Sequence, residues 1–323
     1  MKRLALTLVV LLSMTVGAFA AGPIVLKAGH SANTNEPYQI GLEAFAKAVE
    51  EKSGGRYKIE IYPNCVLGSE SEMIDSLLLG NLDFTVPTNG LLTNYVPLLS
   101  VFDLPFLFDT REALYKNVDG KVGEVLAQGL QQKGFRLLAF YEAGVRHIMT
   151  VKKPVNSIDD LKGLKIRVME IPAHIDSFNQ FGAKGTPLAY SELYSALQSG
   201  VVDGAEAANT NYHAKQFYRV APYWAEVSWT TLVADLVMSE EKFQSFSKED
   251  QQMFIEAALE SAAVERKFYA ESDAKLAEEL AGLGVTITHP DPAPFRAAAE
   301  KVYEKFIKTD EMKELVKLIR ENQ

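Results

Sequence analysis

The chain has 323 residues, of which 47% are hydrophobic and 23% charged, with a formal net charge of −9. That length exceeds one ordinary compact domain and suits two lobes, and the hydrophobic fraction excludes a disordered chain. The acidic balance argues against nucleic acid or an anionic membrane surface as a partner, although a local site can still oppose the global charge.

The N-terminus reads as a secretory signal. Lys2 and Arg3 supply the basic start, Leu4 to Val16 the apolar stretch, and Ala18-Phe19-Ala20 the small-x-small cleavage pattern, with the cut after Ala20. The apolar stretch is shorter than the ~20 residues a spanning helix needs. The mature chain is therefore expected to be exported and not embedded in a membrane. Cys65 is the single cysteine, so no disulfide forms within the chain, and a small core residue is the ordinary reading of it.

From there strand and helix signals alternate, which predicts an α/β architecture. Ile24 to Gly29 is a short apolar strand. Tyr38 to Lys52 is an amphipathic helix with Ile40, Leu42, Phe45, Ala46 and Val49 on its apolar side, stopped by Ser53-Gly54-Gly55. Tyr57 to Tyr62 alternates as a strand, Ser69 to Leu79 is helical, and Leu82 to Val86 is the next strand. The βαβαβ order places ligands off the carboxyl ends of the strands. Val101 to Phe108 is a dense apolar loop expected to pack under this lobe. Phe135–Phe140 and Arg146–Thr150 are two further strand signals, the second a crossing between lobes. Ser157 begins a capped turn, Leu164 to Met169 is a strand, and Ala173–Phe181 and Ser191–Gln198 are short helices. Ser247 to Leu283 reads either as two kinked helices or as one element of roughly 50 Å at 1.5 Å per residue.

No catalytic motif stands out. The five histidines, His30, His147, His174, His213 and His289, form neither HExxH nor a Cys/His zinc spacing. There is no nucleophile elbow and no Gly-rich phosphate loop, so no cofactor or metal is expected. The informative run is Asp160-Leu161-Lys162-Gly163-Leu164-Lys165-Ile166-Arg167-Val168: an apolar strand that carries one arginine towards its end. A guanidinium is always charged and presents a planar fork of donors that matches a carboxylate two bonds at a time. Gly185-Thr186-Pro187-Leu188-Ala189-Tyr190-Ser191-Glu192 and Asp203-Gly204-Ala205-Glu206 follow.

These three segments, in this order and spacing, resemble the solute-binding proteins of TRAP transporters, the DctP-like family, and the resemblance runs from about Leu26 to the last helix. It implies a two-lobed periplasmic-binding fold with an interlobe cleft and one long helix spanning both lobes. The expected division is a signal over 1–20, lobe I over 21–144 plus about 233–272, and lobe II over 145–232 plus about 273–323. It also implies capture of an organic acid anion, a C4-dicarboxylate, a keto or hydroxy acid or a hexuronate. A hinge motion would close the lobes, and the ligand would pass to TRAP membrane permease subunits from the periplasm. A sensor that presents its ligand to a membrane receptor, and a secreted enzyme on the same fold, are the alternative functions.

By the same resemblance Arg167 takes the place of the arginine that pairs with the ligand carboxylate, and Arg146 is a second arginine near the ligand. Tyr190 either lays its ring along the ligand or packs in a core. Glu206 opens a further cleft segment. Family members often place a ligand-bonding asparagine directly after that glutamate; Ala207 stands there here, so Asn209 or Asn211 is expected to substitute. Trp229 is a candidate for stacking on the ligand, with core burial as the alternative. From the first lobe His30 and Thr88 follow strand ends and complete the candidate set. Thr88 stands where sialic-acid-binding members have a glutamate.

Overall fold

A computed structural model describes residues 22–323; the expected signal segment, residues 1–20, lies outside them. The strands are β1 (Ile24–Gly29), β2 (Tyr57–Tyr62), β3 (Phe84–Thr85), β4 (Phe135–Thr150), β5 (Lys165–Val168), β6 (Lys184–Pro187), β7 (Gly204–Ala207), β8 (Tyr223–Ser239) and β9 (Thr286–Thr288). They form one mixed sheet in the order β2-β1-β3-β8-β4-β7-β5-β6, with β9 beside β8. At each end the strands run parallel, β2-β1-β3 and β7-β5-β6. The antiparallel pair β4–β8 joins the two ends.

That pair builds the bilobal shape. The sequence suggests two strands over residues 135–150, but the structure has a single strand of 16 residues. The intervening Tyr141 to Val145 keep pairing with β8 through one of the strand's three register shifts, the one between Glu142 and Gly144. Bulges bend a strand and raise its twist, and Gly144 takes φ = 86°, a conformation that favours glycine. The buried, charged Glu142 looks like a strand breaker in sequence. Here Arg111 Nε donates to it at 2.7 Å, and the Tyr115 hydroxyl also donates to it.

Three apolar cores flank the sheet. The first gathers Leu26, Phe45, Phe84, Phe102, Phe140 and Val237 of lobe I. Val101–Phe108 is largely buried there, as its apolarity requires. Lobe II holds two, one around Leu197, Tyr212 and Trp224, the other around Ile166, Phe178 and Trp229. Lys248–Gly282 is one unbroken helix of 35 residues. Ser247 caps it by accepting from the Asp250 amide at 3.1 Å. Phe254, Ala257 and Ala258 enter the lobe I core, and Leu280 enters a lobe II core, so the helix runs behind both. The division expected from sequence puts 273–323 with lobe II. The last helix, Asp310–Glu321, instead buries Met312, Leu315, Val316 and Ile319 in the lobe I core. Its apolar side fits the surface left beside Pro97–Asp103. Among the described residues no helix is long and apolar enough to cross a membrane.

Candidate functional site

The order β4-β7-β5 sets three charged side chains side by side at the junction of the lobes. Arg146 stands on β4 opposite Thr230, Arg167 on β5 opposite Ala205 of β7, and Glu206 on β7 between the two arginine strands. Arg167 is 1% exposed and Glu206 is fully buried. Burying charges this deeply is costly unless they are paired.

The two arginines are used differently. Arg146 is nearly saturated by the protein. Its Nε donates to Glu206 Oε2 at 2.7 Å, and its Nη1 donates to the Ala143 carbonyl at 3.2 Å and to Asn211 Oδ1 at 3.1 Å. Arg167 is anchored by its Nε alone, which donates to the Leu188 carbonyl at 2.9 Å. Its Nη1 lies 3.6 Å from Glu206 Oε1, an ion pair without a hydrogen bond. Arg167 Nη1, Glu206 Oε1 and the Tyr190 hydroxyl are all buried polar atoms with no partner among the described atoms. Burial, only partly offset by Glu206, holds the Arg167 guanidinium below the ordinary arginine value. Burial works against the Glu206 carboxylate too, but Arg146 and Arg167 outweigh it and hold that carboxyl below its usual range. Two guanidinium groups thus share the Glu206 carboxylate, and Glu170, just beyond β5, is a further carboxylate on the cavity lining.

Arg146, Arg167 and Tyr190 face a cleft between the lobes. Thr88 lines it from lobe I, together with Glu36, Tyr38 and Glu70; Met169 and Leu91 supply apolar wall, and Asn211 a polar group. Contacts across the lobes gather at one corner. Asn33 Nδ2 donates to the Ala214 carbonyl at 2.9 Å, Asn211 Nδ2 to Glu36 Oε1 at 2.8 Å, and Lys215 Nζ to Asn64 Oδ1 at 3.0 Å and the Ser31 carbonyl at 3.3 Å. The guanidinium of Arg167 and the ammonium of Lys215 both lie over the Tyr190 ring, at 5.9 and 5.6 Å from its centroid.

Glu206 stands behind the arginines and not on the cavity lining, and three further candidates lie away from it. Trp229, considered as a stacking group, is buried in a lobe II core, with His174 and Phe178 against its ring at 4.9 and 5.2 Å. Its strand turns that face inward, so core burial is its fate. Asn209 points into the other lobe II core and accepts from Trp224 Nε1 at 3.1 Å; Asn211, two residues on, is the one that faces the cavity. Ala207 is buried in the sheet opposite His147. His30 is buried in lobe I against Gln39 Oε1 at 2.8 Å, and burial brings its pKa down to about 4. Its neighbours Ser31 and Ala32 reach the cavity in its stead.

Glu36 and Glu70 were not among the sequence candidates. Glu70 opens the helix Glu70–Leu78 just after the Ser69 cap, where an acidic residue reads as helix-start chemistry. That local explanation hides its second role as a cavity wall. Among the described residues no group of His, Cys, Asp and Glu is arranged to hold a metal ion.

A family model described as bacterial extracellular solute-binding protein, family 7, matches residues 28–310. The chain belongs to this family, DctP. A solute-binding protein of Verminephrobacter eiseniae is 36% identical over 292 residues, covering 90% of this chain and 87% of that protein. The TRAP periplasmic solute-binding protein from Sulfitobacter, solved with bound β-D-galacturonate, superimposes with a TM-score of 0.89 at 32% identity, covering 92% of this chain and 100% of that one. The TRAP protein from Polaromonas, bound to D-erythronate, gives 0.89 at 33% identity over 92% and 98% of the chains. The DctP fold therefore accounts for the whole described architecture, and the chain is a TRAP-type solute-binding protein.

Proposed function

We propose that the interlobe cleft captures an organic acid anion through a salt bridge from its carboxylate to Arg167. The observation that carries this reading is the Nη1 of a fully buried, cavity-lining arginine that makes no hydrogen bond to the protein. A carboxylate placed there can accept two parallel bonds from one guanidinium. Arg146 acts indirectly: it fixes Glu206 and Asn211 and keeps this wall rigid. Tyr190 offers its ring edge and a free hydroxyl to the same ligand, and Thr88 and Asn211 close the polar rim.

Closure of the lobes excludes water and strengthens the pairing, since Coulomb energies grow as the effective dielectric falls. A ligand drives closure only by binding the closed state better than the open one. The loaded protein then delivers the anion to TRAP membrane permease subunits at the periplasmic face. Galacturonate and erythronate, the acids held by the two neighbours, support a carboxylate ligand here. Binding without turnover is the activity proposed.

The test is a thermal-shift screen of the mature protein, stripped of bound solute by unfolding and refolding. C4-dicarboxylates, keto and hydroxy acids, hexuronates and neutral sugars make up the panel. A ligand at 100-fold excess over its Kd stabilises the folded state by about 2.7 kcal/mol. Acids are expected to raise Tm, Arg167→Ala to abolish the shift, and the recovered ligand to be unchanged. A shift with neutral sugars alone would sink the reading.

A further inference from the structure

We propose that Arg111 is a positioning residue that couples the cleft wall to the hinge: through Asp273 it holds the lobe II end of the long helix against lobe I in the closed arrangement, and so sets how tightly the cleft keeps its ligand. The inference rests on the reading above that the lobes close on a bound anion. It concerns a residue outside the cleft lining.

Arg111 is the first residue of the helix Arg111–Val118, which packs Leu114 and Val118 into the lobe I core. A cation at a helix N-terminus opposes the helix dipole, so the helix itself gives no reason for an arginine there. Its partners do. Nε donates to Glu142 Oε1 at 2.7 Å, and Nη2 donates to Asp273 Oδ2. These two carboxylates belong to the elements that connect the lobes. Glu142 stands on β4 just before the bulge and the positive φ of Gly144. Asp273 lies on the long helix about two turns before Leu280, which is packed in a lobe II core. One planar guanidinium thus ties a lobe I helix to the crossing strand and to the lobe II end of the long helix. A lysine ammonium is a point charge without that fork.

The two contacts differ in strength. Glu142 is fully buried, also accepts from the Tyr115 hydroxyl, and has its amide bonded to Glu265 at 2.9 Å. Asp273 accepts from Arg111 alone, and its Oδ1 has no partner among the described atoms. Nearby charges are engaged elsewhere, Arg266 with Asp119 at 2.6 Å and Glu226 with His289 at 3.1 Å. When the hinge turns, Arg111–Asp273 is therefore the contact that opens, while Arg111–Glu142 stays with lobe I. The contact also reaches the ligand site. The Arg111 guanidinium lies over the Tyr269 ring, 5.9 Å from its centroid, and the Tyr269 and Thr210 hydroxyls are 2.9 Å apart. Tyr269 and Thr210 both line the cleft. Tyr269 sits one turn before Asp273, on the same face of the helix. A ligand that fills the cleft bears on Tyr269, and Tyr269 bears on the Arg111–Asp273 contact.

Two variants test this. Asp273→Asn removes the ion pair and leaves the Glu142 contact; Arg111→Lys keeps the charge and loses the fork. Each is made in the full mature chain with Cys65→Ser, and with spin labels on Lys47→Cys of lobe I and Lys162→Cys of lobe II, both exposed positions. Pulsed-EPR distances are read without ligand, and Kd by calorimetry with galacturonate, erythronate and succinate. Both variants are expected to shift the ligand-free distances opposite to the shift that saturating ligand causes in the wild type. Both are expected to raise Kd at least fivefold for every acid that binds, with the ranking unchanged, because only the closed fraction has fallen. A purely structural role lowers the urea midpoint and moves neither readout. Ligand-free distances as in wild type with Kd within twofold would overturn the inference, whatever the midpoint does, and so would tighter binding. If Asp273→Asn fails to fold, Arg111→Lys carries the same test. If none of the acids binds the wild type, the anion reading falls, and ligand-free distances that neither variant moves would still sink the Arg111 role.

Discussion

Glu206 and Asp103 are both fully buried carboxyl groups, and their surroundings give them opposite charge behaviour. Glu206 is held below its usual range because two guanidinium groups outweigh its burial. Such a group adds stability above its unfolded value, about 4.5, and that stability is lost as pH falls through the folded value. Replacing it by Gln leaves two buried cations without a counter-charge, so Glu206→Gln is expected to cost about 3–5 kcal/mol at pH 7 and less near pH 3. Urea melts at the two pH values check it. Asp103 is raised well above the ordinary value, by burial first and by Asp235 second; neither of its oxygens accepts a hydrogen bond, and His174 Nε2 stands 3.7 Å from Oδ1. A raised group favours folding below its unfolded value, about 3.8, and that contribution is lost as pH rises towards the folded value. Asp103→Asn removes the liability and is expected to stabilise the protein at pH 8 more than at pH 4. Equal melts for variant and wild type at pH 8 would contradict that expectation.

At the scale of elements, the crossing strand and the long helix meet at a glycine. A Cβ on Gly144 would sit 1.9 Å from the Tyr269 hydroxyl oxygen, and the backbone there has positive φ. Steric overlap and an unfavourable conformation act together, so Gly144→Ala is expected to destabilise by more than about 2 kcal/mol. The loss should appear in the denaturation midpoint, whereas Ser247→Ala, which removes only the helix cap, should cost about 1 kcal/mol. A cap at its start and a glycine only near its end marked the long helical stretch in the sequence, and the family resemblance favoured one helix over two kinked ones. The sequence could not show that β4 continues through Glu142, because the partners that neutralise that residue come from Arg111 and Tyr115, some thirty positions earlier. The same limit explains the last helix: its apolar stripe is legible, but which lobe receives it depends on the surface that Pro97–Asp103 leaves open.

For the whole molecule, affinity depends on how much of the population is closed. Lys215 lies outside the cavity wall yet reaches Asn64 and Ser31 of lobe I. Removing it weakens the closed state without touching the ligand, and apparent affinity falls by the fraction of competent molecules lost. Lys215→Ala is expected to raise the Kd severalfold while the ligand ranking is unchanged, with ligand-free small-angle scattering shifted towards a more extended particle. A changed ranking would mean that Lys215 contacts ligand directly.

The sequence by itself determined the α/β class and the family resemblance, and it pointed to Arg167 as the leading site candidate. Each of these is written in local order: alternating strand and helix signals, short motifs at fixed spacing, and a guanidinium near the end of an apolar strand. What only the tertiary structure decided is how those residues share their partners. Arg146 and Glu206 stand 60 positions apart, and their pairing follows from β7 lying between β4 and β5. That arrangement leaves Arg167, and not Arg146, with a free donor. It also turns Trp229 into a core, puts Asn211 where Asn209 had seemed equally suited, and sets Glu70 against the cavity. Strand order and the facing of each side chain arise from long-range pairing, and no local pattern encodes them.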